Sequence, residues 1–238
     1  MEQEGITVIM PSYLGDYEMS RSNPVPKFIR AVKSFIDQDY PKELCELIII
    51  SDACQLTIEA YNENFKDIDN IRLIKKEVKS NGYPGKARQM GIDASSFEVI
   101  TYLDSDDYLL DYRLSLINKF IKNSDVIIDY LRMIKYDDGI LDGIQNNTVA
   151  TWQISHKKSI CENVKWEDSL ERGEDGRFIK AAIALIPNKP RPWNSNKEAY
   201  KNYLLRIRKE SNMFCRIGGY VICHMPITPN LKLKPTDI

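Results

Sequence analysis

Four short apolar runs, separated from one another by segments that read as helices, constrain this chain more than anything else in it. They are "ITVIM" (6–10), "CELIIIS" (45–51), "IRLIKKE" (71–77) and "FEVITYL" (97–103). Runs of this length, rich in β-branched residues and bounded by turn formers, read as buried strands. The first is expected to stop at Pro11. Between them, "KFIRAVKSFIDQ" sets Phe28, Ile29, Val32, Phe35 and Ile36 at helical spacing. "TIEAYNENF" also reads as helix, and "NGYPGKARQMGIDASS" begins as a glycine- and proline-marked loop and becomes helical near Lys86. Strand–helix alternation with short connections predicts an α/β fold: a parallel sheet of the nucleotide-binding sort, built from right-handed crossovers.

After Asp111 the pattern changes. "RLSLINKFIKN" predicts a helix and "DVIIDYLRMIKYDDG" a strand or hairpin, while "ILDGIQNNTVATWQISHKK" is mixed and turn-rich. "EDGRFIKAAIAL" predicts a helix opened by acidic residues at its positive end. "NKPRPWN" reads as a rigid loop, "KEAYKNYLLRIRKES" as a charged amphipathic helix and "YVICHM" as a last strand. The expected division is a nucleotide half, 1–111, and a mixed acceptor half, 112–238, within one domain of 238 residues.

Charge and cysteines narrow the class. With 33 basic against 34 acidic residues the net charge is -1, so no nucleic-acid footprint is evident. No apolar run reaches membrane-spanning length and no signal-peptide pattern occurs. Cys45, Cys54, Cys161, Cys215 and Cys223 are odd in number and lack CxxC pairing, which argues against a disulfide scaffold and a zinc site. Reduced thiols are the expectation, and with them a cytoplasmic protein, free or peripheral to a membrane.

In open α/β sheets ligands bind beyond the carboxyl ends of the strands. Polar residues of interest gather there: Pro11 and Tyr13 after the first run, Asp52 after the second, and Asp104, Ser105, Asp106 and Asp107 after the fourth. One aspartate after a strand is ordinarily a turn former or helix cap. Three carboxylates in four residues repel one another and call for a cation, and oxygen ligands suit Mg2+ or Mn2+. So few protein ligands leave coordination positions that a diphosphate fills.

Taken in order, "ITVIMPSY", "ELIIISDAC", "GKARQMGID" and "FEVITYLDSDD" resemble the inverting family 2 glycosyltransferases of the GT-A fold. The likeness covers the first half well and the second through one motif. Its most specific element is the DxD motif Asp104-Ser105-Asp106, about fifty residues after the strand-end aspartate. The resemblance implies that Pro11 and Tyr13 line the base pocket, with the Tyr13 ring for stacking. It implies that Asp52 accepts a hydrogen bond from the base, the ring N–H of uracil. At that point Ser51-Asp52-Ala53-Cys54 departs from the family's Asp-Asp-Gly-Ser run: the glycine is lost. Arg88, in "KARQMG", resembles the arginine of the family's Ala-Arg-Asn-x-Gly segment, with Gln89 replacing Asn; it would hold a phosphate or tie Asp104 in place. Lys86 reads equally well as an exposed helix lysine. "GYPGKA" has the wrong spacing for a P-loop. Asp104 would contact the ribose or reach the metal through water, with Ser105 beside it at the donor. Asp106 would ligate Mn2+ or Mg2+ directly, and Asp107 would cap the following turn.

In the second half "ERGEDGRF" resembles the family's Glu-Asp motif. By that likeness Asp175 is the general base and Glu174 orients it or binds the acceptor, with Asp168 and Glu171 as nearby competitors. Acidic residues at a helix start are equally routine dipole partners. His224, late in the chain, is either a ligand of the metal or diphosphate or a half-buried strand histidine. His156, beside Lys157 and Lys158, reads as solvated surface. Trp193 is the expected acceptor contact and "NKPRPWN" a lid over the site.

Together these imply a metal-dependent transferase moving a sugar from a nucleotide diphosphate donor, UDP-linked, to a glycan or other hydroxyl acceptor. No processive-synthase Gln-x-x-Arg-Trp motif occurs. Two rivals stand beside this reading. A nucleotidyltransferase acting on sugar phosphates is disfavoured by the acidic, glycine-poor "MPSYLGDYEMS". The other is a catalytically silent nucleotide-sugar-binding protein.

Overall fold

The computed structural model describes residues 3–16, 24–80, 82–107, 109, 111–122, 125–130, 133–135, 139–141, 151, 154–167, 173–185, 214–217 and 220–224. The four apolar runs form β1 (Ile6–Ser12), β2 (Cys45–Asp52), β3 (Ile71–Lys76) and β4 (Val99–Tyr102). All four are parallel, in the spatial order β3-β2-β1-β4. Helices α1 (Pro24–Ile36), α2 (Gln55–Asn64) and α3 (Gly85–Ala94) make the crossovers. Ile6, Val8, Ile9, Met10, Ile48 and Ile50 are fully buried, as apolar runs covered on both faces must be. Each such side chain contributes roughly 1.5–3 kcal/mol on leaving water.

Strands β5 (Val126–Tyr130), β8 (Ile154–Lys157), β9 (Phe214–Ile217) and β10 (Tyr220–His224) come from the second half of the chain. They continue the sheet beyond β4 in the order β8-β5-β10-β9. Strand β8 runs antiparallel to both its neighbours, β4 and β5, and β10 runs parallel to β5. Strands β6 (Met133–Lys135) and β7 (Gly139–Leu141) pair as a separate antiparallel ribbon. Helices α4 (Arg113–Ile121) and α5 (Glu174–Ala184) follow in the second half, and short 3-10 turns lie at Lys42–Leu44 and Lys158–Glu162. "KEAYKNYLLRIRKES" and "NKPRPWN", and with them Trp193, Asp168 and Glu171, lie outside the described residues.

Two expectations are corrected. Strand β1 runs through Pro11 to Ser12 instead of stopping before it. The Ile9 carbonyl accepts from Leu103 N–H across the β4 side, and alternation turns Pro11 toward that same side. The β1–β4 ladder ends with Ile9 opposite Tyr102, so the donor that proline lacks is not needed there. His156 is the second correction. It sits fully buried in β8, inside a stretch read from sequence as turn-rich surface.

The chain steps from β1 outward through β2 and β3, then crosses back to place β4 on the other flank of β1. Where the order reverses, the β1 and β4 ends leave a crevice at the carboxyl edge, the usual ligand position in such sheets.

Candidate functional site

At that crevice Asp52 ends β2, directly across from Lys76 at the end of β3. Its carboxylate is buried and well supplied with donors. Lys76 Nζ lies 2.9 Å from Oδ1, the Ser80 amide 3.0 and 3.2 Å from the two oxygens, and Ser80 Oγ 3.1 Å from Oδ1. Lys76 also donates to the Val78 carbonyl. Ala53 follows with φ of 52°, so alanine keeps the left-handed turn where the family has glycine. Its N–H reaches both the Ser51 and Lys76 carbonyls, at 3.0 and 3.1 Å. Across the crevice mouth, Lys79 Nζ stands 3.5 Å over the centroid of the Tyr13 ring. Pro11 is buried in the body of β1.

The acidic run after β4 is a turn, closed by Asp107 N–H on the Asp104 carbonyl at 3.0 Å. One stripe of α1 holds it. Arg30 Nη2 donates to the Asp106 carbonyl at 2.6 Å, Ser34 Oγ accepts from Leu109 N–H at 2.9 Å, and Gln38 Oε1 accepts from Leu114 N–H at 3.0 Å. These residues recur every four positions, one side of a helix and its first extension. Their four-residue spacing is visible in "KFIRAVKSFIDQ", but the main-chain atoms they meet leave no signal there.

Arg88, buried on α3, joins the two halves of the chain. Its Nη2 lies 3.3 Å from Asp104 Oδ1 and its Nη1 2.9 Å from Glu174 Oε1, the first residue of α5. Of the two expectations for Arg88, tying Asp104 is the contact present. Lys86, two residues earlier, is exposed. Crowding by protein raises the Asp104 carboxyl above the ordinary carboxylate range; Arg88 opposes the rise, while Asp106 and Glu174 add to it. Asp175 is raised too, first by desolvation, then by Glu174 and Asp104, against the pull of the Gly176 amide and Arg88. Gly176 N–H donates to Asp175 Oδ1 at 2.7 Å.

Behind Arg88 lies Trp166, its ring centroid 4.9 Å from the guanidinium carbon. Gly85 allows the approach of this segment: a Cβ there would fall 2.1 Å from the Glu167 carbonyl oxygen. Trp166 and His156 therefore both serve the interior behind the site.

For a divalent metal, the donor chemistry fits in part. Asp104 and Asp106 offer hard oxygens, the donor type that Mg2+ and Mn2+ prefer. Among the described residues no three carboxylate, histidine or cysteine side chains converge on one point. A cation would therefore take further oxygens from its substrate. His224 ends β10 on the same sheet edge. Ile100, His156, Val126 and Tyr220 share one register level, so Asp104 and His224 both lie four residues past it. Three strand spacings, roughly 14 Å, separate β4 from β10 across the sheet.

Residues 7–226 match Glycosyl transferase family 2. The poly(ribitol-phosphate) β-N-acetylglucosaminyltransferase TarS of Staphylococcus aureus is 27% identical over 124 residues, 51% of this chain and 20% of that protein. The structure of S. aureus TarS 1–349 in complex with UDP-GlcNAc superposes with a TM-score of 0.61 at 21% identity, covering 74% of this chain and 52% of that one. The mannosyltransferase PcManGT of Pyrobaculum calidifontis, in complex with GDP-Man and Mn2+, gives a TM-score of 0.51 at 16% identity, over 70% of this chain and 50% of that one. The chain thus spans a fifth or less of the length of the curated relatives it matches, and about half of these solved chains. The GT-A fold expected from the sequence is the fold these structures share with it.

Proposed function

The chain belongs to glycosyl transferase family 2, and on that premise we propose that it moves a sugar from a UDP-linked donor to a hydroxyl acceptor, with inversion and with a divalent metal. The observation that carries the proposal is the Arg88 bridge. It holds the acidic turn after β4 against the Glu174-Asp175 start of α5, so a donor-side and an acceptor-side carboxylate share one cation.

In this reading the base stacks on Tyr13 beside Pro11, and Asp52 accepts its ring N–H. That fits the neighbouring enzyme whose structure holds UDP-GlcNAc. Asp104 and Ser105 face the donor. Asp106 would hold Mn2+ or Mg2+, with His224 as a second candidate, and the metal supplies positive charge to the departing diphosphate. Asp175 takes the proton of the acceptor hydroxyl as that oxygen bonds to the anomeric carbon. The bond from that carbon to the diphosphate oxygen breaks, and UDP leaves with the electron pair. A carboxyl raised above its usual range is a stronger proton acceptor, which suits Asp175 to this step. Glu174, spent on Arg88, orients rather than reacts. Trp193 remains the proposed acceptor contact.

No described helix is long and apolar enough to cross a membrane. We place the protein in the cytoplasm, free or membrane-peripheral, on the strength of Cys45, Cys54 and Cys161, free thiols among the described residues.

A thermal-shift series tests the donor site. UDP and UDP-GlcNAc with manganese should raise the melting temperature by several degrees, since a ligand of the native state stabilises by mass action. GDP should shift it less, and Asp106→Ala should remove the manganese-dependent part. Equal shifts with and without manganese in that variant and the parent would overturn the Asp106 assignment. A GDP shift exceeding that of UDP would overturn the choice of base.

A further inference from the structure

Arg88 bridges Asp104 and Glu174 with its guanidinium carbon 4.9 Å from the Trp166 ring centroid, so its reach to both carboxylates depends on where that ring sits. The Trp166 indole is itself fixed on several sides. Its ring stacks on Phe178, centroids 4.3 Å apart and planes 8° from parallel. Phe178 lies one helical turn beyond Glu174 and Asp175, on the same side of α5. The Trp166 backbone N–H donates to Gln89 Oε1 at 3.0 Å, next to Arg88 on α3. Its indole N–H donates to the Tyr102 hydroxyl at 2.8 Å.

The hydrogen bonds beyond that hydroxyl run one way. Indole nitrogen only donates, so the Tyr102 oxygen accepts there. At the far end a carbonyl only accepts, so His156 Nδ1 carries the proton that reaches the Lys157 carbonyl at 2.8 Å; burial pushes the pKa of this imidazole down to about 4, and the neutral ring leaves Nε2 to accept from the Tyr102 hydroxyl, 2.7 Å away. No member can turn without orphaning another in a fully buried place. The chain starts on β4, two residues before Asp104, and ends on β8.

We propose that Trp166 is a positioning residue for sugar transfer, and that the Tyr102–His156 pair is the lock that fixes it. Trp166 sets the Arg88 plane on one side and the first turn of α5 on the other, and so the separation between the donor-side carboxylates and Asp175. Trp166 and Tyr102 are both buried, and act through Arg88 and α5. The proposal rests on the transferase reading for its kinetic consequence but not for its mechanical one.

Tyr102→Phe keeps the ring and removes the lock; Trp166→Phe keeps a ring and removes the indole N–H. In UDP-GlcNAc turnover with manganese, each should lower kcat at least tenfold and leave donor KM within twofold. Tyr102→Phe should cost little further in the Trp166→Phe background, because it acts through the indole. Hydrogen exchange at residues 174–178 should quicken in both variants by more than it does at the β1 and β2 amides, which report the general loss of stability from the orphaned buried partners, and this is read without activity. Accelerated exchange in a chain that does not turn over UDP-GlcNAc would uphold the positioning and sink the transferase reading. Unchanged exchange at 174–178, or a kcat within twofold of the parent, would overturn the proposal, as would losses that multiply in the double variant.

Discussion

Ala53 shows how a single position can depart from a family pattern and keep its geometry. Its φ of 52° is a conformation that alanine adopts at a cost and glycine freely. The shared N–H contacts to Ser51 and Lys76 hold the turn in place. Ala53→Gly should therefore stabilise the protein by about 1 kcal/mol, a rise of roughly 2–4 °C in thermal unfolding; a lowered melting temperature would mean that the alanine is not strained. The ammonium of Lys79 covers the face of Tyr13 on which a base is proposed to stack. A cation over an aromatic ring at an exposed site is worth about 0.5–1 kcal/mol, which the incoming base has to replace. Lys79→Ala should tighten UDP binding about two- to fivefold by calorimetry; weaker binding would make Lys79 a ligand of the nucleotide instead. Asp52 was legible from sequence as a strand-end carboxylate. Its partners Lys76 and Ser80 were not, because they come from the next strand and loop and only register brings them together.

Among the elements, α1 carries more of the site than its sequence role as a crossover helix suggests. Its apolar positions Phe28, Val32 and Phe35 were plain from periodicity and are buried. The polar stripe Arg30, Ser34, Gln38 grips main-chain atoms of the segment from Asp106 to Leu114. Contacts from side chain to a distant backbone leave no complementary residue type in the sequence, so nothing signalled what this stripe meets. Ser34→Ala strands the Leu109 amide, and a part-buried donor left unmade costs about 1–3 kcal/mol. The loss should appear as a lower melting temperature together with weaker manganese-dependent UDP binding. Unfolding without any change in binding would separate α1 from the acidic turn. Helix α5 began where the acidic pair predicted. Strand β8 escapes the apolar pattern because its four residues, "ISHK", carry three polar side chains, and the partners of Ser155 and His156 (Thr101, Tyr102 and the Lys157 carbonyl) are remote or main-chain.

At the scale of the molecule, one eight-stranded sheet carries strands from both halves of the chain, and Arg88 crosses between them at the ligand edge. The parallel half was readable because each of its strands is a continuous apolar run. The other half mixes short strands of both directions, and short strands pair by register that no local pattern declares. Concentrating carboxylates at the junction has a stability cost with a definite sign. Asp175 has its folded pKa raised, so between its unfolded and folded values the native state binds more protons than the unfolded one. Stability from this group therefore falls as pH rises through that window and is fully restored below the ordinary carboxylate range. Asp175→Asn should melt at or above the parent at pH 7, and the gap should close near pH 3.5; a lower melting point at pH 7 would contradict it.

That same variant meets the central claim head on when the rate of UDP release from UDP-GlcNAc is measured with manganese present, alongside UDP affinity. With Asp175 as the base that activates the acceptor oxygen, Asp175→Asn should lose about 10²–10⁴-fold in rate while binding UDP as the parent does. A variant that releases UDP at the parental rate would contradict the account.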